Sequence, residues 1–250
     1  MNELKLRITN ELQQDFNVKI MDSMYWSLPV HLIQIDYQTV KRTKMDILLK
    51  MMLIAFNKAE IETAEELSDI LLVEQLFIND LIAKMTRMGL IAKKGSSFVL
   101  TDSGILQLET GILVYEPEGG SKQTLYSPVH KSFFHGEIKN IIYDEKETYR
   151  YKNDFDDESV TSLDETIVLG ALKTMGAELN EGNVQIVISE ILSISKIKTD
   201  LVPCIEYHLY NSNEDLLYAR VWNTLSEHWD ETLETQLNEK ERKKWRELYL

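Results

Sequence analysis

Cysteine is almost missing from this chain. The single Cys204 excludes an internal disulfide. The start carries no basic stretch leading into an apolar run, so no secretory leader is expected and the cytoplasm is the expected compartment. Long apolar runs are missing too. The most apolar stretch, Ile47 to Phe56, is interrupted by Lys50 and falls well short of the roughly 20 residues a bilayer requires, so no membrane association is expected. A glycine-rich phosphate loop is also lacking, because Gly119-Gly120 and Gly182 have neither the lysine nor the following helix. No internal repeat and no low-complexity tract occurs.

Basic charge is scarce, with 27 Lys and Arg against 41 Asp and Glu and a formal net charge of -14. Such a chain repels nucleic acid at long range unless its cations are gathered on one face. The deficit is uneven. Residues 41–110 hold 9 cations against 10 carboxylates, while residues 111–250 hold 15 against 26. A hydrophobic content of 44% suffices for one large core or two modest ones.

Local signals predict the elements. Val30 to Val40 reads as a strand from its partial alternation after Pro29, whereas Leu4, Leu6 and Ile8 alternate too weakly to separate strand from helix. Thr43 with Asp46 is expected to cap a helix over Met45 to Phe56 that is apolar on nearly every side. Thr63-Ala-Glu-Glu66 has the form of a capping box and opens a short helix to about Leu72. A third helix from about Glu74 to Met88, with Phe77, Leu81, Met85 and Met88 along one side, stops at Gly89. Leu90 to Lys93 and Phe98 to Leu100 then read as a hairpin around Lys94 to Ser97. Thr101-Asp102-Ser103-Gly104 opens a last helix that ends at Gly111.

Helix, helix, helix, hairpin, helix is an order that resembles the winged-helix superfamily, as in MarR-like and PadR-like regulators. The residues that carry the likeness are Ala64-Glu65-Glu66-Leu67, the run Leu81 to Ile91, and Leu100-Thr101-Asp102-Ser103-Gly104. The resemblance implies a winged-helix domain over 43–112. In DNA-binding members the third helix enters the major groove and the wing touches phosphates. Carried over by position, the DNA-contact candidates are Gln75, Asn79, Lys84, Thr86 and Arg87 on the helix, with Ala83 between them, and Lys93 and Lys94 on the wing beside Ser96 and Ser97. Glu74 and Asp80 oppose this, since phosphate contacts dominate affinity and no cation precedes Lys84. Leu76 and Ile82 are instead candidates for a protein interface.

Beyond Gly111, the turn-rich Glu116 to Gly120 marks an expected boundary. Ile138 to Tyr143 and Glu147 to Lys152 are expected to pair as a hairpin. Ser162-Leu-Asp-Glu165 is expected to cap a helix ending at Gly176. Val184–Ile188, Ile191–Ile197, Cys204–Tyr210 and Leu216–Trp222 are expected as short strands of a small antiparallel sheet. A helical stretch from Leu225 to Leu250, broken near Asn238, completes the reading. The expected fold is α+β: an N-terminal arm over 1–42, a winged-helix domain over 43–112, a strand and loop connector over 113–160, and a separate acidic α+β domain over 161–250. That last domain is expected to hold a small antiparallel sheet and C-terminal helices.

Chemistry-bearing clusters are few. Asp154, Asp156, Glu158 and Glu165 have the spacing of a calcium loop, but Ser159 stands where the loop needs glycine. A solvated acidic linker explains them better. His31, His130, His135, His208 and His228 share no zinc spacing with each other or with Cys204. Cys204 is expected to be a core thiol. His228, Asp230 and Glu231 fall within one helical turn and could serve a hydrolase, but polar residues around a buried Trp229 are the commoner outcome. Trp222, Trp229 and Trp245 are interface candidates, weighed against closing a core. No catalytic residue, metal or cofactor is expected. The expected function is a non-enzymatic regulator or adaptor acting at double-stranded DNA, with the acidic half binding a protein or a second copy. The alternative is a protein-binding subunit of a larger DNA-processing, chromosome-organising or defence complex that does not itself read DNA.

Overall fold

The computed structural model describes residues 2–138, 147–154 and 163–250. It corrects the expected fold class. The chain is built around an eight-stranded sheet, not around a winged-helix domain followed by a small sheet domain. The path is β10-β9-β8-β1-β5-β6, with β4 paired to β1 and β7 to β8. The strands are β1 (Val18–Lys44), β4 (Ile112–Val114), β5 (Glu118–Ser127), β6 (Ser132–Phe134), β7 (Leu179–Glu181), β8 (Val184–Asn211), β9 (Leu216–Asn223) and β10 (His228–Trp229). Two of them, β1 and β8, are 27 and 28 residues long. β2 (Ile91–Lys94) and β3 (Ser97–Leu100) form a separate hairpin. The helices among the described residues are α1 (Asn2–Leu12), α2 (Ile47–Lys58), α3 (Ala64–Leu71), α4 (Gln75–Arg87), α5 (Asp102–Thr110), α6 (Glu165–Thr174) and α7 (Glu231–Tyr249). None is long and apolar enough to cross a membrane.

The chain divides into two compact units. The first comprises the described residues of Met1–Ile35, Lys122–Val168 and Ser193–Leu250. In it every residue of β8 from Val202 to Leu209 is buried, because the strand is covered on both faces. Val202 and Cys204 join Leu217, Ala219 and Val221 of β9 and Leu233, Leu237 and Trp245 of α7 in one core. Ile205, Tyr207 and Leu209, pointing the other way, pack with Ile8 of α1. The three strands expected over 184–210 are one continuous strand, which runs through Ser189-Glu190 and Lys198 to Pro203. The spacing Leu4, Ile8, Leu12 carries the packed face of α1, while Leu6 is exposed. α7 runs unbroken through Asn238, whose side chain accepts the Ala219 amide at 2.8 Å instead of capping a second helix.

The second unit comprises Asp36–Ser121 and Leu169–Leu192. Its core is formed by Leu49, Met52, Leu53 and Phe56 of α2, Leu67 of α3, Ile78, Ile82 and Met85 of α4, with Ile61, Leu90, Ile91 and Leu113. The cap of α2 is Asp46, which accepts the Leu48 amide at 2.8 Å, while Thr43 belongs to β1. α2 buries one face only, since Ile47 and Met51 are exposed. Of the capping box at α3 the Thr63 half is present, while Glu66 bonds one residue before Thr63. Thr63 accepts the Glu66 amide at 3.2 Å, and Glu66 accepts that of Glu62 at 3.0 Å. The stretch Leu100 to Gly104 has an internal logic. The Thr101 hydroxyl donates to the Gly89 carbonyl at 2.5 Å and accepts the Gly104 amide at 3.0 Å. Glycine is required at 104 because a Cβ there would lie 2.0 Å from the Leu90 carbonyl oxygen.

The expected calcium loop from Asp154 to Glu158, the Ser162 cap and the hairpin strand over 139–143 fall wholly or mainly outside the described residues. Of the hairpin's second arm, Thr148 bridges Ser27 of β1 instead, in parallel.

Candidate interaction surface

The corner between α3 and α4 decides which side chains this region offers to a partner. α4 turns Ile78, Ile82 and Met85 into the core, spaced by four and three as a helix requires. Phe77, expected on the core side, is half exposed. The helix is thus rotated by about one position from the expected phase. Ile82 is only 8% exposed, so it is a core residue and leaves the set of interface candidates. Leu76 stays in that set at 68% exposed, and it is joined by exposed residues not expected there: Ile70, Phe77 and above all Leu72, at 91%.

Leu72 is the unusual member. It ends α3 in the left-handed conformation, at φ 56 and ψ 42, where a residue with a Cβ costs about 1 kcal/mol and glycine is the ordinary choice. The turn is held by the Ser68 hydroxyl, which donates to the Val73 carbonyl at 2.6 Å, and by the Val73 amide donating back to the Ser68 carbonyl at 3.3 Å. No burial of the leucine offsets its strain. Carboxylates surround the corner in sequence, with Glu65, Asp69, Glu74 and Asp80 all exposed.

The DNA-contact candidates Gln75, Asn79, Lys84, Thr86, Arg87, Lys93 and Lys94 are exposed. Their chemistry is less free than their exposure. Thr86 donates its hydroxyl to the Ile82 carbonyl at 2.8 Å. Lys93 lies over the Phe98 ring, 5.6 Å from its centroid. At the hairpin tip Ser96 donates to the Glu62 carboxylate at 2.6 Å, which sets negative charge beside the wing. Lys84 and Arg87 sit in the last turn of α4, far from Gln75 at its start.

The three tryptophans are packing residues. Trp245 is buried in the core of the first unit. Trp222 and Trp229 stack edge to face at 5.4 Å, and Arg220 covers Trp229 at 4.3 Å. Neither is exposed.

Two buried polar clusters in the first unit escaped the sequence reading. Glu206 on β8 accepts bonds from Trp26 Nε1 at 2.6 Å, from both terminal nitrogens of Arg150 at 2.8 Å, and pairs with His208 Nε2 at 2.7 Å. His208 Nδ1 meets the Tyr249 hydroxyl of α7 at 2.8 Å. Arg150 also bonds Glu241 of α7. Burial pushes the Glu206 carboxyl upward, but the bonds to Arg150 and His208 outweigh it and hold the group at about 2, against an ordinary 4.5. Burial, with Asp22 and Glu206 nearby, pushes Tyr249 up to about 12.

The second cluster joins Ser127, His130 and Asp230. His130 Nδ1 meets Ser127 Oγ at 2.7 Å, and its Nε2 meets Asp230 at 2.9 Å. Asp230 also accepts Asn223 Nδ2 at 2.8 Å and the Leu233 amide at 3.2 Å, capping α7. Burial raises the Asp230 carboxyl, while His130, Asn223 and Leu233 together pull it below the usual range. The residue types are those of a hydrolytic triad, but the serine is fully buried and both carboxylate oxygens are engaged. The cluster fastens the 127–130 turn to the start of α7. It also takes Asp230 out of the grouping with His228 and Glu231, because His228 is exposed and bonds the Trp229 carbonyl. Cys204 is buried, which with Asp230 nearby raises its thiol well above the ordinary range. Among the described residues no cluster of His, Cys, Asp or Glu is arranged to hold a metal ion.

The chain matches no family model, no curated protein and no solved structure.

Proposed function

We propose that the chain is a non-enzymatic adaptor that docks a protein partner on the α3–α4 corner. The observation that carries this reading is Leu72, left-handed and 91% exposed. Backbone strain held at a solvated leucine points to a role outside folding. Leu76 and Phe77 add exposed apolar residues close by in sequence, and Glu65, Asp69, Glu74 and Asp80 are exposed carboxylates on either side of them in sequence. An apolar centre within a polar rim is the usual anatomy of an interface. The partner that fits is a protein with an apolar cleft bordered by Lys and Arg.

The test uses the tagged full chain in its native host, treated with nuclease. Stoichiometric protein recovered with the natural chain and lost with Leu76→Asp/Phe77→Asp supports the reading. Leu72→Gly separates binding from folding, since it should raise stability by about 1 kcal/mol while weakening capture. Unchanged capture by both variants overturns it.

A second reading, DNA contact through Lys84, Arg87, Lys93 and Lys94, is favoured by one observation: all four are exposed and none pairs with a carboxylate among the described residues. Alanine at all four should then lower DNA affinity and flatten its salt dependence. Unchanged affinity removes this reading.

A further inference from the structure

A groove of about 650 Å³ lies in the second unit, apart from the residues of the corner just described. It forms where three segments are tied together. The Lys44 amide at the end of β1 donates to the Asn183 carbonyl in the β7–β8 turn at 3.3 Å, and the Met45 amide donates to the Gly111 carbonyl after α5 at 2.9 Å. Gly182, at φ 56, allows the β7–β8 turn to reverse without a side chain, and a Cβ there would meet nothing within 4 Å.

The lining is one-sided in charge. Arg42, Lys44 and Lys50 face it, and none of its twelve lining residues is Asp or Glu. Arg42 and Lys44 are two apart on β1 and so share a face. Arg150, Lys173, Lys198, Arg220 and Arg246 pair with carboxylates. Arg42, Lys44 and Lys50, like Lys84, Arg87, Lys93 and Lys94, have no such partner among the described residues. The adjacent Asp46 carboxylate is engaged with the Leu48 amide. Three like charges on one concave wall repel one another and focus a field that favours an anion. The same wall includes Ile47 and Ile112, 78% and 40% exposed. The groove therefore offers cationic and apolar surface side by side, at a volume within the range of small-molecule sites.

We propose that this groove binds a phosphorylated ligand of nucleotide size, with Arg42 as the forked phosphate contact, Lys44 and Lys50 as point charges, and Ile47 and Ile112 against the ring system. A guanidinium matches two phosphate oxygens at once, whereas an ammonium acts without that directionality. Asn183 and Gln185, both exposed on the lining, are placed to select among ring substituents. The same phosphate chemistry occurs in a free nucleotide and in a nucleic-acid strand.

The experiment titrates the purified full chain with adenosine triphosphate and, separately, with a fluorescent single strand of about twelve nucleotides. The natural chain should bind at least one probe with a dissociation constant below about 1 mM. Arg42→Ala, Lys50→Glu and the triple alanine variant at Arg42, Lys44 and Lys50 should each weaken it by about tenfold or more. All three cations are exposed, so the variants should keep the circular dichroism spectrum and melting temperature of the natural chain. Alanine at Lys84, Arg87, Lys93 and Lys94 should leave this affinity unchanged. Displacement of the strand by nucleotide assigns the free ligand. Binding of the strand alone, with a logarithmic salt slope of about -2, assigns the polymer. Failure of both probes to bind the natural chain, or equal affinity in the triple variant, overturns the proposal and leaves the α3–α4 corner untouched.

Discussion

Glu206→Gln is the substitution that interrogates the first unit most directly. The glutamate side chain is fully buried, and Arg150, His208 and Trp26 all converge on it. The folded protein binds a proton at this carboxyl only near pH 2, whereas the unfolded chain takes one up near 4.5. Throughout that interval the unfolded state holds more protons, so stability falls as the pH is lowered through it. The difference corresponds to about 3 kcal/mol, present above the unfolded value and lost toward the folded one. Glutamine keeps the shape and loses the charge. At neutral pH the variant should therefore be less stable by about 3 kcal/mol, and the gap should narrow below the unfolded value of 4.5 and close toward about 2. Urea unfolding followed by tryptophan fluorescence measures this cleanly. All four tryptophans, Trp26, Trp222, Trp229 and Trp245, belong to the first unit. A gap that stays constant from neutral to acid pH would show that the Glu206 charge does not stabilise the fold and would refute the argument.

Two further substitutions test local logic. Gly104→Ala places a methyl 2.0 Å from the Leu90 carbonyl oxygen and should destabilise the second unit by about 2 kcal/mol, read as a lowered urea midpoint by far-ultraviolet circular dichroism; a neutral result would mean that α5 shifts freely. Asp230→Ala removes the α7 cap and the partner of both His130 and Asn223 and should cost about 2 kcal/mol, with faster amide exchange at Leu233; unchanged exchange there would show that the cap is dispensable.

Local signals in the sequence translated into structure, and non-local ones did not. The Thr63 cap and the stop at Gly111 depend on a few adjacent residues, and each stands where expected. The length of β8 was illegible because Ser189-Glu190 and Lys198 to Pro203 interrupt its apolar pattern, although the strand runs through them. The phase of α4 was misread because Leu76, Phe77, Ile78, Leu81 and Ile82 offer two apolar stripes, and only packing decides between them. Glu206 and Arg150 are 56 residues apart, and His130 and Asp230 are 100 apart. Nothing in spacing alone joins either pair. The groove suffers the same limit, since its lining comes from 42–50, 110–112 and 182–185.

Where the unfinished surface lies bears on function more than any single residue does. Eleven of the eighteen exposed large hydrophobics among the described residues, from Ile47 to Leu192, fall in the second unit, although it holds less than half of the chain. Its core does not need them, because Leu49, Met52, Leu53, Phe56, Ile78, Ile82 and Met85 already fill it. The first unit spends its polar chemistry inward: Glu206, His208, Asp230 and Asn223 are buried and bonded. Exposed apolar side chains gathered together carry a cost in water that selection removes by substitution. Their concentration on one unit, alongside a strained Leu72, supports the proposed partner surface. Substitutions that abolish binding should accordingly cluster in Asp36–Ser121 and Leu169–Leu192 and leave stability intact, while those in the buried network of the first unit should do the reverse.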